Sequence, residues 1–227
     1  SDRIIAISKS VKNFLISNYV GINKKKISVV YYGLDKILVK TKKKNTKINF
    51  IKKFKGKKKK IFIGCIARLV PQKSLTTLID AIQVYKRNKN IKLVIAGSGN
   101  LKEELINYSN SKKLQSNIIW VDFIDDTAGF LKSIDIFALS SLYEGFGLVF
   151  LEAMYCKKPI IGTKTSAIKE VVKDKLNGIL VPINNSQKIS KAIEKLENKQ
   201  LRNKYGLSGY EILRKKFPLI KMFNETK

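Results

Sequence analysis

Residues 61–97, IFIGCIARLVPQKSLTTLIDAIQVYKRNKNIKLVIAG, decide the fold. A short β-branched run, IFIGCI, leads through a polar loop into SLTTLIDAIQVYKR, whose apolar positions recur at helical spacing, and the chain then returns to a second apolar run, IKLVIAG. Strand, helix and strand in that order make a parallel βαβ unit. Runs that stay apolar instead of alternating mark strands buried on both faces.

Outward from this unit the alternation continues. A helical stretch, NLKEELINYSNS, follows, then the strand-like runs NIIWVD, IDIFALS, KPIIGT and GILVP, with helical segments between most of them. The stretches SQKISKAIEKLEN and LRNKYGLSGYEILRKKF are predicted to pack over the resulting sheet. The fold class is therefore α/β, a doubly wound, Rossmann-like parallel sheet. Upstream, RIIAIS and ISVVYY read as strands around the helical KSVKNFLISNYV, followed by a turn at Tyr32-Gly33-Leu34-Asp35. Residues 36–60, KILVKTKKKNTKINFIKKFKGKKKK, are dense in lysine and lack periodicity, so they read as a solvated connector between the two parts.

Composition narrows the chemistry. With 227 residues and 44% hydrophobic content, the chain can bury a core. No apolar run approaches a bilayer span, and SDRIIAISKS lacks the layout of a signal peptide. Histidine is absent and the two cysteines, Cys65 and Cys156, stand in no metal-ligand spacing. That excludes a zinc site, a Ser-His-Asp triad and a Cys-His pair within this sequence. The formal charge of +29 attracts polyanions, yet nearly all the cations are lysines in a chain also crowded with Ile and Asn. Compositional drift accounts for that excess better than a dedicated polyanion surface.

Ligands of doubly wound sheets bind beyond the carboxyl ends of the strands. After the first strand of the sheet, ARLVPQKS carries Arg68 and Lys73 on one loop, a guanidinium fork and a point charge suited to a diphosphate. After the second, Gly97 and Gly99 bracket Ser98 ahead of a helix, a possible nucleotide loop that lacks the third glycine of a dinucleotide fingerprint. After the third, Asp125 or Asp126 caps a helix entering at Thr127. After the fourth comes LYEGFGLVFLEAM, in which Glu144 precedes Gly145-Phe146-Gly147 at a helix entrance and Glu152 falls in the helix's second turn. Glycines there leave backbone N–H groups open to oxygen ligands, and a carboxylate accepts from sugar hydroxyls. Glu152 sits among core-type residues and needs a partner.

The succession ARLVPQKS, LVIAGSGN, SLYEGFGLVFLEAM, KPIIGT and EVVKDKLNGILVP resembles the nucleotide-sugar-binding half of retaining glycosyltransferases of family 4, which have the GT-B fold of two Rossmann-like domains. The resemblance implies transfer of a sugar from a nucleoside diphosphate to an acceptor with retention of configuration. It implies that Arg68 and Lys73 hold the diphosphate and that Glu144 is the catalytic residue, contacting donor-sugar hydroxyls. Glu152 binds the ribose, and the backbone of Phe146, Gly147 and Leu148 meets sugar and phosphate oxygens. It implies no metal and no further cofactor. Residues 1–35 resemble the tail of the acceptor-side N-terminal domain, 61–217 the donor domain, and 218–227 the start of the helix that crosses back. On this reading the chain is a fragment of a longer cytoplasmic enzyme that meets a saccharide or lipid-linked acceptor through its other domain, with a peripheral contact to anionic membrane and no specific nucleic acid.

The sequence departs from the family pattern where Ser74 follows Lys73, where Lys158 stands in MYCKKPII, and in TSAIKE, all positions where the family usually has glycine. Two other classes compete with the enzyme reading. A basic nucleic-acid-binding module follows from the charge, although aromatics are sparse among the connector lysines. A dinucleotide-dependent oxidoreductase follows from Gly97 and Gly99, against the incomplete glycine pattern.

Overall fold

The computed structural model describes residues 3–35, 60–88 and 90–227. The lysine-rich connector lies outside the described residues except for Lys60.

A small N-terminal lobe comes first: β1 (Ile4–Ala6), α1 (Lys9–Asn18) and β2 (Ile27–Val29). Its two strands pair in parallel, Ile4 opposite Ile27 and Ala6 opposite Val29. Ser8 starts α1, its Oγ accepting from the Val11 N–H at 3.0 Å. Residues 30–35 then run without regular structure.

The body follows with β3 (Ile61–Ile66), α2 (Leu75–Ile82), β4 (Ile91–Ala96), α3 (Lys102–Ser111), β5 (Ile118–Val121), α4 (Thr127–Ser133), β6 (Ile136–Leu139), α5 (Leu148–Tyr155), β7 (Ile160–Thr163), α6 (Ile168–Val171), β8 (Gly178–Val181), α7 (Ser186–Lys195), α8 (Lys199–Lys216) and α9 (Leu219–Thr226). Asp126 caps α4, its Oδ1 accepting from the Gly129 N–H at 2.7 Å, so of the two candidate aspartates the second takes that position. Every predicted strand forms, generally a residue or two shorter than its apolar run. The predicted helix over residues 74–87 ends at Ile82 and continues as a 3₁₀ turn over Gln83–Tyr85.

The six strands of the body order as β5-β4-β3-β6-β7-β8, all parallel. This is the doubly wound pattern: the chain moves outward from β3 through β4 to β5, then returns to the other side of β3 and moves outward again. The order reverses between β3 and β6, where Ile63 pairs with Ile136 and Gly64 with Phe137. A crevice opens beyond the carboxyl ends of those two strands. Burial on both faces is complete at β4, where all six residues are buried, and α2 adds Leu75, Leu78, Ile79 and Ile82 to the same core. Strand β8 closes one edge. There the Leu180 N–H donates to Asp174 Oδ1 at 2.9 Å, and the Gly178 carbonyl accepts from Lys175.

Left-handed residues occur in or beside the stretches where the family pattern has glycine. Ser74 and Ser166 adopt left-handed conformations, with φ of 45° and 38°. In the CKKP turn the left-handed residue is Lys157, φ 53°, one position before the Lys158 that sequence comparison singles out. L-residues tolerate this region at a cost of about 1–2 kcal/mol.

Candidate active site

The loops after β3 and β6 meet at the crevice and are stitched together by backbone. Leu142 N–H donates to the Gln72 carbonyl at 2.9 Å, and Gln72 Nε2 donates to the Tyr143 carbonyl at 2.9 Å. The buried Ser140 hydroxyl reaches the carbonyls of both Lys73 and Ser74, at 2.9 and 2.8 Å. Between the loops lies a cleft of about 400 Å³ whose wall includes Arg68, Lys73, Glu144, Gly147 and, from the N-terminal lobe, Ile7.

Within it, Lys73 Nζ and Glu144 Oε1 form an ion pair at 2.6 Å, with side chains only 12% and 9% exposed. The Ser141 hydroxyl donates to the same carboxylate oxygen at 2.7 Å. The cation assigned to the diphosphate and the carboxylate assigned to the sugar are thus each other's partners. Seventy-one positions separate them, and sequence reading placed them on neighbouring loops without joining them. Arg68 is exposed on the cleft wall, and no hydrogen bond or ion pair of its guanidinium is found among the described residues.

The β6–α5 loop ends at Gly147, whose φ of 80° is left-handed and whose absent Cβ would meet the Phe150 ring at 2.6 Å. Gly147 caps α5, and the Phe150 N–H folds back onto its carbonyl at 2.9 Å. Among the described residues, the N–H groups of Phe146, Gly147, Leu148 and Val149 donate to no protein acceptor. A run of free donors at a helix N-terminus is an anion site by geometry and by dipole. The Phe146 side chain points the other way, 2% exposed, into a ring cluster with Tyr31, Tyr32 and Phe217.

Glu152 lies one turn into α5 and is part-buried, with no hydrogen bond to its carboxylate among the described residues. Burial pushes its carboxyl above the usual range. Hydroxyl donors brought by a ligand would favour the charged form and draw that value back down.

Gly97 and Gly99 permit a close approach of two loops. A Cβ on Gly97 would stand 1.9 Å from the Ala67 carbonyl oxygen, and one on Gly99 2.4 Å from that of Leu69. The missing side chains let the loop after β4 lie against the Arg68 loop, with the Leu69 N–H bonded to the Ser98 carbonyl at 2.8 Å. Neither glycine is on the cleft wall. They support Arg68 from behind.

Sequence reading missed three contributors. Ser140 and Ser141 are recognisable only once the loops are folded together. Glu170, a helix glutamate in IKEV by sequence, accepts four hydrogen bonds from the N-terminal lobe. Cys65 is fully buried, and burial pushes its thiol up to about 12, which leaves it inert. Among the described residues no group of three or more His, Cys, Asp or Glu could hold a metal ion, and no helix is long and apolar enough to cross a membrane.

Residues 46–211 match the family described as glycosyl transferases group 1. An uncharacterized glycosyltransferase of Methanocaldococcus jannaschii is 34% identical over 100% of this chain and 57% of its own length. The N-acetylgalactosamine-N,N'-diacetylbacillosaminyl-diphospho-undecaprenol 4-alpha-N-acetylgalactosaminyltransferase of Campylobacter jejuni is 28% identical over 90% of this chain and 53% of its own. The chain thus spans about half the length of the curated relatives it matches. Among solved structures, HepE of Anabaena in complex with UDP and glucose superposes with a TM-score of 0.88 at 24% identity, over 100% of this chain and 62% of that one. The shared fold is one half of a GT-B architecture with part of the other.

Proposed function

The chain belongs to the glycosyl transferases group 1 family, and from that premise and the cleft we propose that it is the donor-binding half of a retaining family 4 glycosyltransferase that uses a nucleoside-diphosphate sugar. The observation that carries this reading is the convergence, at the reversal of strand order, of Arg68, Lys73 and Glu144 with the free N–H groups at the start of α5.

In the proposed reaction the donor's diphosphate lies against the Arg68 guanidinium, the Lys73 ammonium and the Phe146–Leu148 backbone. As the bond from the anomeric carbon to the phosphate oxygen breaks, negative charge collects on the departing diphosphate, which takes the proton of the acceptor hydroxyl as that oxygen bonds the anomeric carbon. Two cations and the positive end of α5 stabilise that charge. Lys73 exchanges Glu144 for phosphate, and Glu144, still held by Ser141, is released to accept from sugar hydroxyls. Donor binding and sugar recognition are then one event, because the diphosphate frees the carboxylate. Glu152 accepts from the ribose. The acceptor, a saccharide or a lipid-linked saccharide, is supplied through the other domain, of which residues 1–35 form the tail, and residues 218–227 begin the return to it. Peripheral contact with anionic membrane fits the charge.

UDP, the nucleotide bound by HepE, is the first probe. Calorimetry on this chain is expected to give saturable binding of UDP or a UDP-sugar that Arg68→Ala weakens at least tenfold. Arg68 is exposed, so this substitution tests the site without disturbing the core. Absence of saturable binding of UDP-, GDP- and ADP-sugars by the folded chain, or undiminished binding by Arg68→Ala, overturns the proposal.

A further inference from the structure

The Glu170 carboxylate, on α6 of the body, is saturated by donors from the N-terminal lobe. Oε1 accepts from the Ser10 N–H at 2.9 Å and the Ser10 hydroxyl at 2.7 Å; Oε2 accepts from the Lys9 N–H at 2.9 Å and the Tyr31 hydroxyl at 2.8 Å. Together with Ser8, this accounts for every N–H of the first turn of α1, since Val11 bonds Ser8 Oγ and Lys12 the Ser8 carbonyl. Helix α1 has no buried residue of its own, so its place depends on such polar contacts.

What Glu170 holds is part of the cleft. Ile7, next to the capped Ser8, is on the cleft wall, and a Cβ on Gly145 would lie 3.4 Å from its Cδ1. The Tyr31 ring, anchored through its hydroxyl, sits 5.9 Å from that of Phe146 and 5.7 Å from that of Phe217. Phe146 in turn carries one of the free N–H groups at the start of α5.

From these contacts we propose that Glu170 is a positioning residue for the donor cleft: it fixes the β1–α1 turn as one wall and, through Tyr31 and Phe146, fixes the backbone donors of the other. The proposal rests on the donor-site reading above. Four donors on two oxygens require a carboxylate. A glutamine keeps the volume but replaces one acceptor pair by an amide that faces two donors. Burial opposes ionisation of Glu170, but the hydrogen bonds from Ser10, Tyr31 and Lys9 outweigh it and hold the carboxyl below its ordinary range, so at neutral pH all four acceptor positions are in use.

The test compares Glu170→Gln and Tyr31→Phe with the unaltered chain by UDP calorimetry, amide hydrogen exchange and thermal melting. For Glu170→Gln the expected results are loss of protection at Lys9 and Ser10, faster exchange at the Phe150 amide that bonds Gly147, and at least tenfold weaker UDP binding, with β3 and β4 still protected. Tyr31→Phe is expected to lose several-fold in UDP affinity with little change at Lys9. Faster exchange at Lys9 and Ser10 with unchanged Phe150 exchange and UDP affinity reduces Glu170 to a helix cap and overturns the proposal, as does no change at all. If the unaltered chain binds none of the UDP-, GDP- and ADP-sugars, the donor reading fails and the Phe150 amide alone decides: faster exchange in Glu170→Gln upholds the positioning role, and unchanged exchange ends it.

Discussion

The body and the N-terminal lobe are both parallel βα structures, yet different forces hold them. In the body every residue of β4 is buried, and α2 buries six of its eight residues. In the lobe the strands are three residues long and α1 buries none. A two-stranded sheet of that size is not stable alone. The lobe and the residues after it meet the body through the Glu170 carboxylate, the Tyr31 and Tyr32 rings, Ile7 and Leu34 packed against the core, and bonds from the Gly33 N–H to Met222 Sδ and from the Leu34 N–H to the Phe217 carbonyl at 2.9 Å. Packing builds the platform, and directional contacts set what faces it.

The sharpest way to break this contrast is to truncate one aromatic on each side. Phe150, fully buried, is expected to cost about 3–5 kcal/mol of stability as Phe150→Ala, whereas Phe14→Ala on α1, where Phe14 is 58% exposed, stays within about 0.5 kcal/mol. Urea unfolding of the two variants measures both; equal losses would show that the lobe shares the body's core. Next in size is the cleft pair. Lys73→Ala strands a buried carboxylate and is expected to cost about 3 kcal/mol, more than half of it recovered when Glu144→Gln is added, because the uncompensated charge is then gone.

A pH titration separates the regions without mutation. The folded-state value of Glu170 is depressed below that of the unfolded chain, so its contribution is fully present above the ordinary carboxylate range and is lost as pH falls through the lowered value. On acidification the Lys9 and Ser10 amides are expected to lose exchange protection before those of β4. The smallest effect is in the body's turns. Lys157→Gly relieves a left-handed lysine and is expected to raise stability by up to about 1 kcal/mol, reduced by loss of the Lys157 ammonium over the Tyr210 ring at 5.0 Å.

Much of the body was legible because its strands are continuous apolar runs and its helices are amphipathic, both local properties. The rule that ligands gather beyond the strand ends then brought Arg68, Lys73 and Glu144 to one place from a linear sequence. Less was legible where the deciding neighbour is distant. Nothing in LYEGFGL announces that Glu144 pairs with Lys73, because the pairing depends on how two loops cross. At Gly97 and Gly99 a glycine signals close approach without saying what approaches, and the sequence does not announce the backbone of Ala67 and Leu69 as the neighbour. Glu170 was hidden for the same reason, its four donors lying 139 to 161 positions upstream. The left-handed conformation of Lys157 is not legible either, because a turn's left-handed position is set by backbone hydrogen bonding that a residue count does not resolve.

Asp174, beside the outermost strand β8, has a consequence for the molecule in company. A parallel sheet that ends in open air offers the next chain a row of amides on which to assemble, and sheets grow that way into aggregates. Here the Leu180 amide is already engaged by an aspartate of the same chain. A second copy arriving edge-on meets a carboxylate at Leu180 where it needs a vacant donor, so the strand's own flanking turn guards this point of the margin.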